Sequence, residues 1–314
     1  MTEFNQTAVL GAGVIGASWT ALFLAAGKDV CVFDVADSVE EDVGAYLETA
    51  WPTLLDLGLA VAGRRGRLTF AATPEEAVAG ADFIQENIPE RLPLKLDLFG
   101  RIEGRLKPSA VLASSASGLM VREMQAGWKD PSRFVLGHPF NPPHLVPLVE
   151  VLGNEKTDPG AIEAAERFYA EVGKVTIRVN KEVPGHVANR LQAALWREAL
   201  HLVKEGVASV EDVDTAVWAG PGLRWGAMGP HMLFNLGAGP GGMAEFCHRY
   251  ADSFHRWWDD LGTPRLDGDI GAVLAQGLAE EAKGRSVADL AEQRDALMVA
   301  HLKAVRGLRD VDEP

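Results

Sequence analysis

The chain has 314 residues, of which 47% are hydrophobic and 24% are charged, and its formal net charge is −14. This length exceeds what one ordinary hydrophobic core supports and favours two domains. The negative charge argues against nucleic acid and anionic membranes as partners, because both require a basic face. No apolar run reaches the roughly 18 residues that a membrane-spanning helix needs, and the first residues lack the pattern of a secretory signal.

The two cysteines have no neighbours at metal-binding or redox spacing. Cys31 lies in an apolar run that predicts a buried strand, and Cys247 lies in a helical stretch. Isolated cysteines of this kind are typically reduced, as is usual inside the cell. We therefore predict a cytoplasmic protein with no metal site.

The first 35 residues predict a strand, a glycine-rich turn, a helix over residues 14–26 and a second strand that ends in an acidic residue. A long helix is expected over residues 38–58, and strands then alternate with helices up to residue 179. Further strands are expected at residues 67–72, 82–88, 110–115, 134–140, 145–152 and 175–179, and further helices at 74–81, 94–106 and 158–172. This alternation predicts an α/β fold of the Rossmann type, with helices on both faces of a doubly wound, mostly parallel sheet.

The sequence changes character around residues 182–184. Beyond residue 187 the apolar spacing is helical, apart from Gly- and Pro-rich segments at residues 219–230 and 236–242 that predict breaks between helices. We therefore predict a Rossmann domain over residues 1–183 and an all-helical domain over residues 184–314.

Three glycines between the first strand and the first helix form the pattern G-x-G-x-x-G. Gly11 permits the tight turn, Gly13 lets the backbone approach a pyrophosphate, and Gly16 lets the helix pack closely on the sheet. The N-terminus of the helix offers N–H groups to the phosphates. The pattern in this context predicts a dinucleotide site.

The acid at the end of the second strand discriminates between cofactors. Asp34 would accept hydrogen bonds from the adenosine ribose and repel a 2′-phosphate, which favours NAD over NADP. The same glycine pattern also binds FAD, and these residues alone leave both cofactors open. The expected contacts are Gly11, Gly13, Val14, Ile15, Gly16 and Asp34.

A histidine and a later glutamate are candidate catalytic residues. Oxidation of a secondary alcohol needs a base within hydrogen-bonding reach of the hydroxyl group, with a pKa near the working pH. His138 meets this need, and a carboxylate bound to its other ring nitrogen would set its tautomer and orientation. Glu150 lies in the next predicted strand, after a proline-rich turn. Two adjacent strands joined in this way can bring the two side chains together.

The segments around these residues resemble the L-3-hydroxyacyl-CoA dehydrogenase superfamily. The resemblance rests on H-P-F-N-P-P-H from residue 138, P-L-V-E-V from residue 147 and V-P-G-x-V-x-N-R from residue 183. It implies that the 3-hydroxyl group of a small organic acid is oxidised with NAD, with hydride passing from the substrate to the nicotinamide. It also implies that His138 accepts the hydroxyl proton and that Glu150 stabilises the resulting imidazolium.

The same resemblance implies further substrate contacts. Ser117 and Asn189 fall on the family's ligands of the substrate oxygen, and Asn141 belongs to the turn after the histidine. His186 stands where the family usually has Phe, which places a polar group near Asn189. That change is expected to alter the substrate pocket.

The resemblance also implies cofactor contacts and an assembly. Glu90 and Lys95 fall on positions that contact the cofactor, and Ser115 takes a cofactor position usually held by Asn. Members of the superfamily commonly dimerise through the helical domain, and symmetric pairs are the most common assembly. A homodimer is therefore expected.

Within the superfamily, the segments that begin at residues 85, 183, 222 and 284 look most like the bacterial L-carnitine dehydrogenases. A trimethylammonium group would be recognised by aromatic faces, although aromatic side chains also serve as packing between helices. Arg224 is the best candidate for binding a substrate carboxylate, and a structural ion pair is its alternative. The candidates in the helical domain are Trp196, Trp218, Arg224, Trp225 and Phe234.

Other functions stay open. An acyl-CoA needs cations for its phosphates, yet no lysine lies between residues 28 and 95, and the arginines after the long acidic helix, Arg64, Arg65 and Arg67, lie in a predicted turn. The Gly-Pro step after Arg224 resembles the L-gulonate 3-dehydrogenases, which include the lens lambda-crystallins, so the loop expected after Arg224 should decide the substrate. A non-catalytic NAD-binding structural protein is a further alternative, against which the intact catalytic set argues.

Overall fold

The computed structural model describes residues 4–60 and 64–309, so the outer limits expected for the two domains, residues 1 and 314, lie outside the described residues. The chain forms two compact units, one that ends at Asn189 and one that begins at Arg190. The domain boundary expected between residues 183 and 184 stays a prediction. In the described residues, no helix is both long and apolar enough to cross a membrane.

Within those residues, the first unit is built on one eight-stranded sheet. Its strands are β1 (Gln6–Leu10), β2 (Asp29–Phe33), β3 (Leu68–Phe70), β4 (Phe83–Glu86), β5 (Val111–Ser114), β6 (Phe134–Pro139), β7 (Leu148–Leu152) and β8 (Val175–Arg178). Their order is β3-β2-β1-β4-β5-β6-β7-β8. Every neighbouring pair is parallel except β6 and β7. The expected mostly parallel, doubly wound sheet is therefore confirmed.

Helices cover both faces of this sheet. They are α1 (Val14–Ala25), α2 (Val39–Asp56), α3 (Pro74–Val78), α4 (Leu92–Ile102), α5 (Val121–Met124) and α6 (Pro159–Glu171), with short 3₁₀ helices at Glu103–Arg105, Gln125–Gly127 and Pro131–Arg133. Side chains of α1, α2 and α6 form one hydrophobic cluster with the sheet, and those of α3, α4 and α5 form another. Successive strand residues point to opposite faces. Phe83 and Ile84 of β4 accordingly belong to different clusters.

The described part of the second unit is helical. Its helices are α7 (Ala188–Lys204), α8 (Val210–Ala219), α9 (Pro221–Ala227), α10 (Pro230–Gly237), α11 (Gly242–Asp260), α12 (Ile270–Ala282) and α13 (Val287–Arg309), with a 3₁₀ helix at Gly239–Gly241. The expected breaks between helices are present at Gly220, at residues 228–229 and at residues 238–241. The loop expected after Arg224 was wrong, because α10 occupies residues 230–237. Pro221 and Pro230 begin their helices, where a missing N–H costs little because the first N–H groups have no intrahelical acceptor.

Candidate active site

The glycine-rich turn joins β1 to the buried helix α1. Gly11 has a φ of 84°, and a Cβ there would lie 2.8 Å from the carbonyl carbon of Asn87. A Cβ on Gly16 would lie 1.8 Å from the carbonyl oxygen of Gly11, so α1 can approach β1 this closely only with glycine. A Cβ on Gly13 would meet nothing within 4 Å. The turn is therefore closely packed at Gly11 and Gly16 and open at Gly13. The open side leaves room for a pyrophosphate at the N-terminus of α1.

The carboxylate of Asp34 lies beside this turn, directly after β2. Its Oδ2 accepts a hydrogen bond from the N–H of Ala12 at 2.6 Å, and its Oδ1 accepts one from the N–H of Ala36 at 3.0 Å. Each oxygen keeps a lone pair for a further donor. The carboxylate is thus oriented where ribose hydroxyl groups would donate to it. Val14, another expected cofactor contact, is exposed at the start of α1.

A cavity of about 380 Å³ opens at the carboxyl ends of β4 and β5 and beside β6. Eight of the residues expected at the site line it: Ile15, Glu90, Lys95, Ser115, Ser117, His138, Asn141 and Asn189. The remaining lining residues, which sequence reasoning did not identify, are Asn87, Ile88, Ala116, Pro139 and Phe140. The fold therefore brings cofactor and catalytic candidates from distant parts of the sequence to one cavity.

His138 and Glu150 form a buried pair on neighbouring strands. His138 lies within β6, one residue before its end, and is directly opposite Glu150 in the antiparallel register with β7. Opposite residues in such a pair point to the same face of the sheet. The Nδ1 of His138 lies 2.8 Å from Oε2 of Glu150. Because Nδ1 is engaged, Nε2 is the ring nitrogen that can meet a substrate.

The second oxygen of Glu150 is held by the backbone just before α7. Oε1 accepts hydrogen bonds from the N–H groups of Val187 and Ala188, both at 2.9 Å. Burial raises the pKa of Glu150, but the hydrogen bonds from His138 and from these two N–H groups outweigh burial and bring the pKa below its ordinary value. Glu150 is therefore an ionised carboxylate that orients the imidazole.

Ser117 lies in the loop after β5, and Glu90 holds this loop. The hydroxyl of Ser117 donates to Oε2 of Glu90 at 2.8 Å, while the N–H groups of Ser117, Gly118 and Leu119 all donate to Oε1. Burial raises the pKa of Glu90, and these four donors together lower it below its ordinary value. Glu90 thus shapes the loop that carries Ser117, and its direct contact with a cofactor stays a prediction.

Lys95 is buried in an ion pair that sequence reasoning missed. Its Nζ lies 2.5 Å from Oε1 of Glu86, which is also buried. The hydroxyl of Ser114 and the N–H of Ile88 donate to the same carboxylate at 2.6 and 2.7 Å. The sequence signal that could have indicated this pair is Glu86, an acidic residue at the end of the apolar strand β4, nine residues before Lys95. Because Glu86 neutralises it, Lys95 brings no unpaired charge to the cavity.

His186 is buried beside the catalytic candidates. Its ring centroid lies 5.3 Å from that of His138, and its φ is 49°. Within the described residues, neither of its ring nitrogens has a hydrogen-bond partner of acceptable geometry. Burial and the neighbouring His138 lower the pKa of His186, outweighing Glu150 and the backbone of Ala116, which favour its charged form. The residue therefore places a neutral imidazole against His138.

The remaining substrate candidates lie in the second unit. Three of them are tryptophans that are exposed on its helices, and the fourth, Arg224, lies on α9. These four candidates are Trp196, Trp218, Arg224 and Trp225. Phe234 instead stacks on Phe246, with ring centroids 4.8 Å apart. This stack is a packing contact between helices, and the substrate contacts of all five residues stay predictions.

Both parts of the chain match models of one family. The model described as 3-hydroxyacyl-CoA dehydrogenase, NAD binding domain, matches residues 6–183, and the model of the C-terminal domain of 3-hydroxyacyl-CoA dehydrogenase matches residues 185–264. The chain is 48% identical over 300 residues to the L-carnitine dehydrogenase of Streptomyces coelicolor, covering 96% of this chain and 94% of the relative. It is 46% identical over 302 residues to that of Streptomyces griseus, covering 96% and 90%.

A solved structure is similar over nearly its whole length. It is the 5-formyl-3-hydroxy-2-methylpyridine 4-carboxylic acid 5-dehydrogenase, described as an NAD⁺-dependent dismutase. The TM-score is 0.83 and the sequence identity is 29%, with 97% of this chain and 99% of that chain covered. The likeness thus includes both compact units of the chain.

Proposed function

The chain belongs to the 3-hydroxyacyl-CoA dehydrogenase family and is an NAD-dependent oxidoreductase. We propose that its substrate is L-carnitine, which it oxidises at the 3-hydroxyl group to 3-dehydrocarnitine. The observation that carries the reaction type is the buried His138–Glu150 pair in the wall of the cavity. The substrate is supported by near-full-length identity of 46–48% to the two Streptomyces L-carnitine dehydrogenases.

The proposed chemistry assigns a task to each residue of the cavity. His138 accepts the hydroxyl proton at Nε2, because Glu150 occupies Nδ1. Glu150 remains ionised and stabilises the imidazolium that forms. Asn189 donates to the oxygen that loses the proton and so favours the transition state. Ser117 donates to the same oxygen once its hydroxyl turns from Glu90 towards the substrate.

The cofactor would be held by the glycine turn, the N-terminus of α1 and Asp34. When bound, NAD supplies the acceptor for the hydrogen and electron pair that leave the substrate carbon. Glu90, Lys95 and Ser115 line the same cavity, and we assign them to the nicotinamide side of the cofactor site.

Among the described residues that line the cavity, Lys95 is the one Lys or Arg, and this supports a free acid rather than a coenzyme A thioester. The phosphates of coenzyme A need accessible cations. Lys95 is neutralised by Glu86. The similar solved dehydrogenase is likewise named for a small carboxylic acid.

We further propose a homodimer formed through the helical unit, in the cytoplasm. All residues from 190 to 197 of α7 are exposed in the single chain, including Leu191 at 63%, Leu195 at 39% and Trp196 at 50%. A helix whose apolar side chains face water needs a partner surface, and a second copy of the same unit is the simplest symmetric partner. Both described cysteines are free, as is usual in a reducing compartment.

The substrate is tested by following NADH absorbance with purified protein, NAD and four candidates: L-carnitine, L-gulonate, L-3-hydroxybutyrate and 3-hydroxybutyryl-CoA. We expect the highest kcat/KM with L-carnitine. Turnover with only the thioester would overturn the proposed substrate and leave the proton acceptor in place.

The proton acceptor is tested with His138→Gln. Loss of a general base lowers the rate by about 10²- to 10⁴-fold, so we expect kcat to fall by that factor while NADH binding, followed by fluorescence, is retained. His248→Gln, at an exposed position on α11, is the matched control and is expected to keep full turnover. Unchanged turnover in His138→Gln would remove His138 from its assigned role.

A further inference from the structure

A row of buried hydrogen bonds leads from the core of the first unit to the cavity. The hydroxyl of Tyr169, on α6, donates to Oε1 of Gln85, on β4, at 2.7 Å, and Nε2 of Gln85 donates to Oγ of Ser115 at 2.9 Å. Ser115 in turn donates to Oδ1 of Asn87 at 2.6 Å. Tyr169 and Gln85 are fully buried, whereas Ser115 and Asn87 line the cavity. The row therefore connects a core phenol to a ligand-facing amide.

The direction of every bond in this row is determined by backbone carbonyls, which can only accept. Nε2 of Gln85 also faces the carbonyl of Gly137 at 3.4 Å, so the amide nitrogen must lie on that side and Oε1 must face Tyr169. Nδ2 of Asn87 donates to the carbonyl of Gln85 at 3.0 Å, which orients the second amide in the same way. Ser115 must then accept from Gln85 and donate to Asn87.

Two features make Tyr169 a permanent donor at the start of this row. Burial raises the pKa of Tyr169 far above its ordinary value, so the phenol stays protonated. A Cβ on Gly137 would lie 1.9 Å from the Tyr169 hydroxyl oxygen, so the glycine immediately before His138 leaves the space that the hydroxyl needs. The phenol thus holds Gln85 in one orientation.

The result at the cavity is an oriented donor. An amide nitrogen carries two N–H groups, and within the described residues one of those on Asn87 is used by the Gln85 carbonyl. The other is available to an acceptor oxygen in a cavity that also contains Ile15, from the first turn of α1, and His138. A dinucleotide whose pyrophosphate lies at the glycine turn would extend its nicotinamide riboside end into this space.

We propose that Asn87 binds an acceptor oxygen on the nicotinamide riboside end of NAD, and that Tyr169 and Gln85 are positioning residues that orient Asn87 through Ser115. This inference rests on the proposed function in one respect only, which is that the cofactor is NAD. It concerns cofactor binding, so the choice of hydroxy acid does not affect it.

The first test is Tyr169→Phe, with NADH binding measured by fluorescence in the absence of substrate. The ring keeps its packing on Trp19 and Phe83, whose centroids lie 5.5 and 5.4 Å away, and only the hydroxyl is lost. One neutral hydrogen bond corresponds to about a two- to tenfold change in affinity, so we expect the Kd of NADH to rise by that factor. Tyr250→Phe, on α11, is the matched control and is expected to leave the Kd unchanged.

Shorter ligands distinguish the oxygen that Asn87 contacts. ADP lacks the nicotinamide riboside, and its Kd should be the same in Tyr169→Phe and in the unaltered protein. A loss shared by ADP-ribose assigns the contact to the ribose, and a loss confined to NADH assigns it to the carboxamide. An equal loss for ADP, or a lower Tm with unchanged NADH binding, would show a purely structural role for Tyr169 and overturn the proposal.

The second test asks whether the effect passes through Ser115. Ser115→Ala removes the link, so the double variant Tyr169→Phe/Ser115→Ala should bind NADH no more weakly than Ser115→Ala alone. Additive losses would overturn the proposed row. A protein that fails to oxidise L-carnitine would contradict the proposed substrate. The NADH affinities measured in these two tests do not depend on that result.

Discussion

Glu150 uses its two carboxylate oxygens for different purposes. Oε2 binds the imidazole of His138, and Oε1 binds the two N–H groups that precede α7. An ionised carboxylate can satisfy all three donors, whereas a neutral glutamine can accept through only one oxygen. The same residue therefore orients the proton acceptor and anchors the segment that leads to Asn189.

This arrangement predicts how stability depends on pH. The pKa of Glu150 in the folded protein lies below its ordinary value of 4.5, so the unfolded chain binds more protons between the two values. The stabilisation is complete above the ordinary value and is lost as the pH falls through the folded value. As the pH falls from above 4.5 through the lower value of the folded protein, the free energy of unfolding should fall more steeply for the unaltered protein than for Glu150→Gln.

Urea unfolding over a series of pH values measures this difference. Glu163→Gln, on the exposed side of α6, is the control and should follow the unaltered protein. Parallel pH profiles for Glu150→Gln and the unaltered protein would contradict the stabilising role of the ionised carboxylate.

Strand β6 combines catalytic and structural requirements in two consecutive residues. His138 faces Glu150 across the antiparallel pair, and Gly137 before it leaves room for the hydroxyl of Tyr169. Side chains of adjacent strand residues point to opposite faces. The strand thus contacts the catalytic pair on one face and the buried hydrogen-bonded row on the other.

Gly137→Ala should therefore destabilise the protein and weaken NADH binding together. Overpacking of a core costs about 1–3 kcal/mol, and the added methyl group would displace the Tyr169 hydroxyl from Gln85. The double variant Gly137→Ala/Tyr169→Phe should recover part of the stability, because the closest contact is removed. Urea unfolding and NADH fluorescence measure both effects.

The control for this change is Gly44→Ala in α2, where a Cβ would meet nothing within 4 Å. Alanine is the better helix former, so this variant should be as stable as the unaltered protein or slightly more stable. A Gly137→Ala protein with normal stability and normal NADH affinity would argue against the space requirement around Tyr169.

At the scale of the whole molecule, the two units differ in how much apolar surface they bury. The sheet unit has two extensive clusters of buried side chains. In the helical unit, by contrast, large side chains such as Trp218, Trp257 and Trp258 are more than half exposed. An exposed apolar surface of this kind marks an interaction site, which is why we propose self-association there.

We expect light scattering to give twice the chain mass of 33.7 kDa at micromolar concentration. Leu191→Glu places a charge on the exposed part of α7 and should shift the protein towards the monomer with a lower Tm. Val175→Glu, at an exposed position of the edge strand β8 in the first unit, should remain a dimer. A monomer for the unaltered protein would contradict the proposed assembly.

Much of the fold was predictable because its signals are local. The glycine turn, the acid after β2 and the alternation of apolar strands with helices each depend on residues close together in the sequence. Residues 230–237 were misassigned to a loop because Gly and Pro are typical of loops, and only the observed backbone shows that Pro230 begins a helix. The role of a proline depends on its position within an element.

The sequence by itself determined the doubly wound sheet and the NAD-dependent chemistry, and it supplied His138 and Glu150 as candidates for the proton transfer. Only the tertiary structure decided that Lys95 is neutralised by Glu86 and that Tyr169 reaches the cavity through Gln85, Ser115 and Asn87. The reason is physical. Strand and helix patterns arise from neighbours along the chain, whereas Tyr169 and Gln85 are separated by 84 positions. They meet because α6 packs on strands β5 to β8 and its Tyr169 reaches Phe83 of β4.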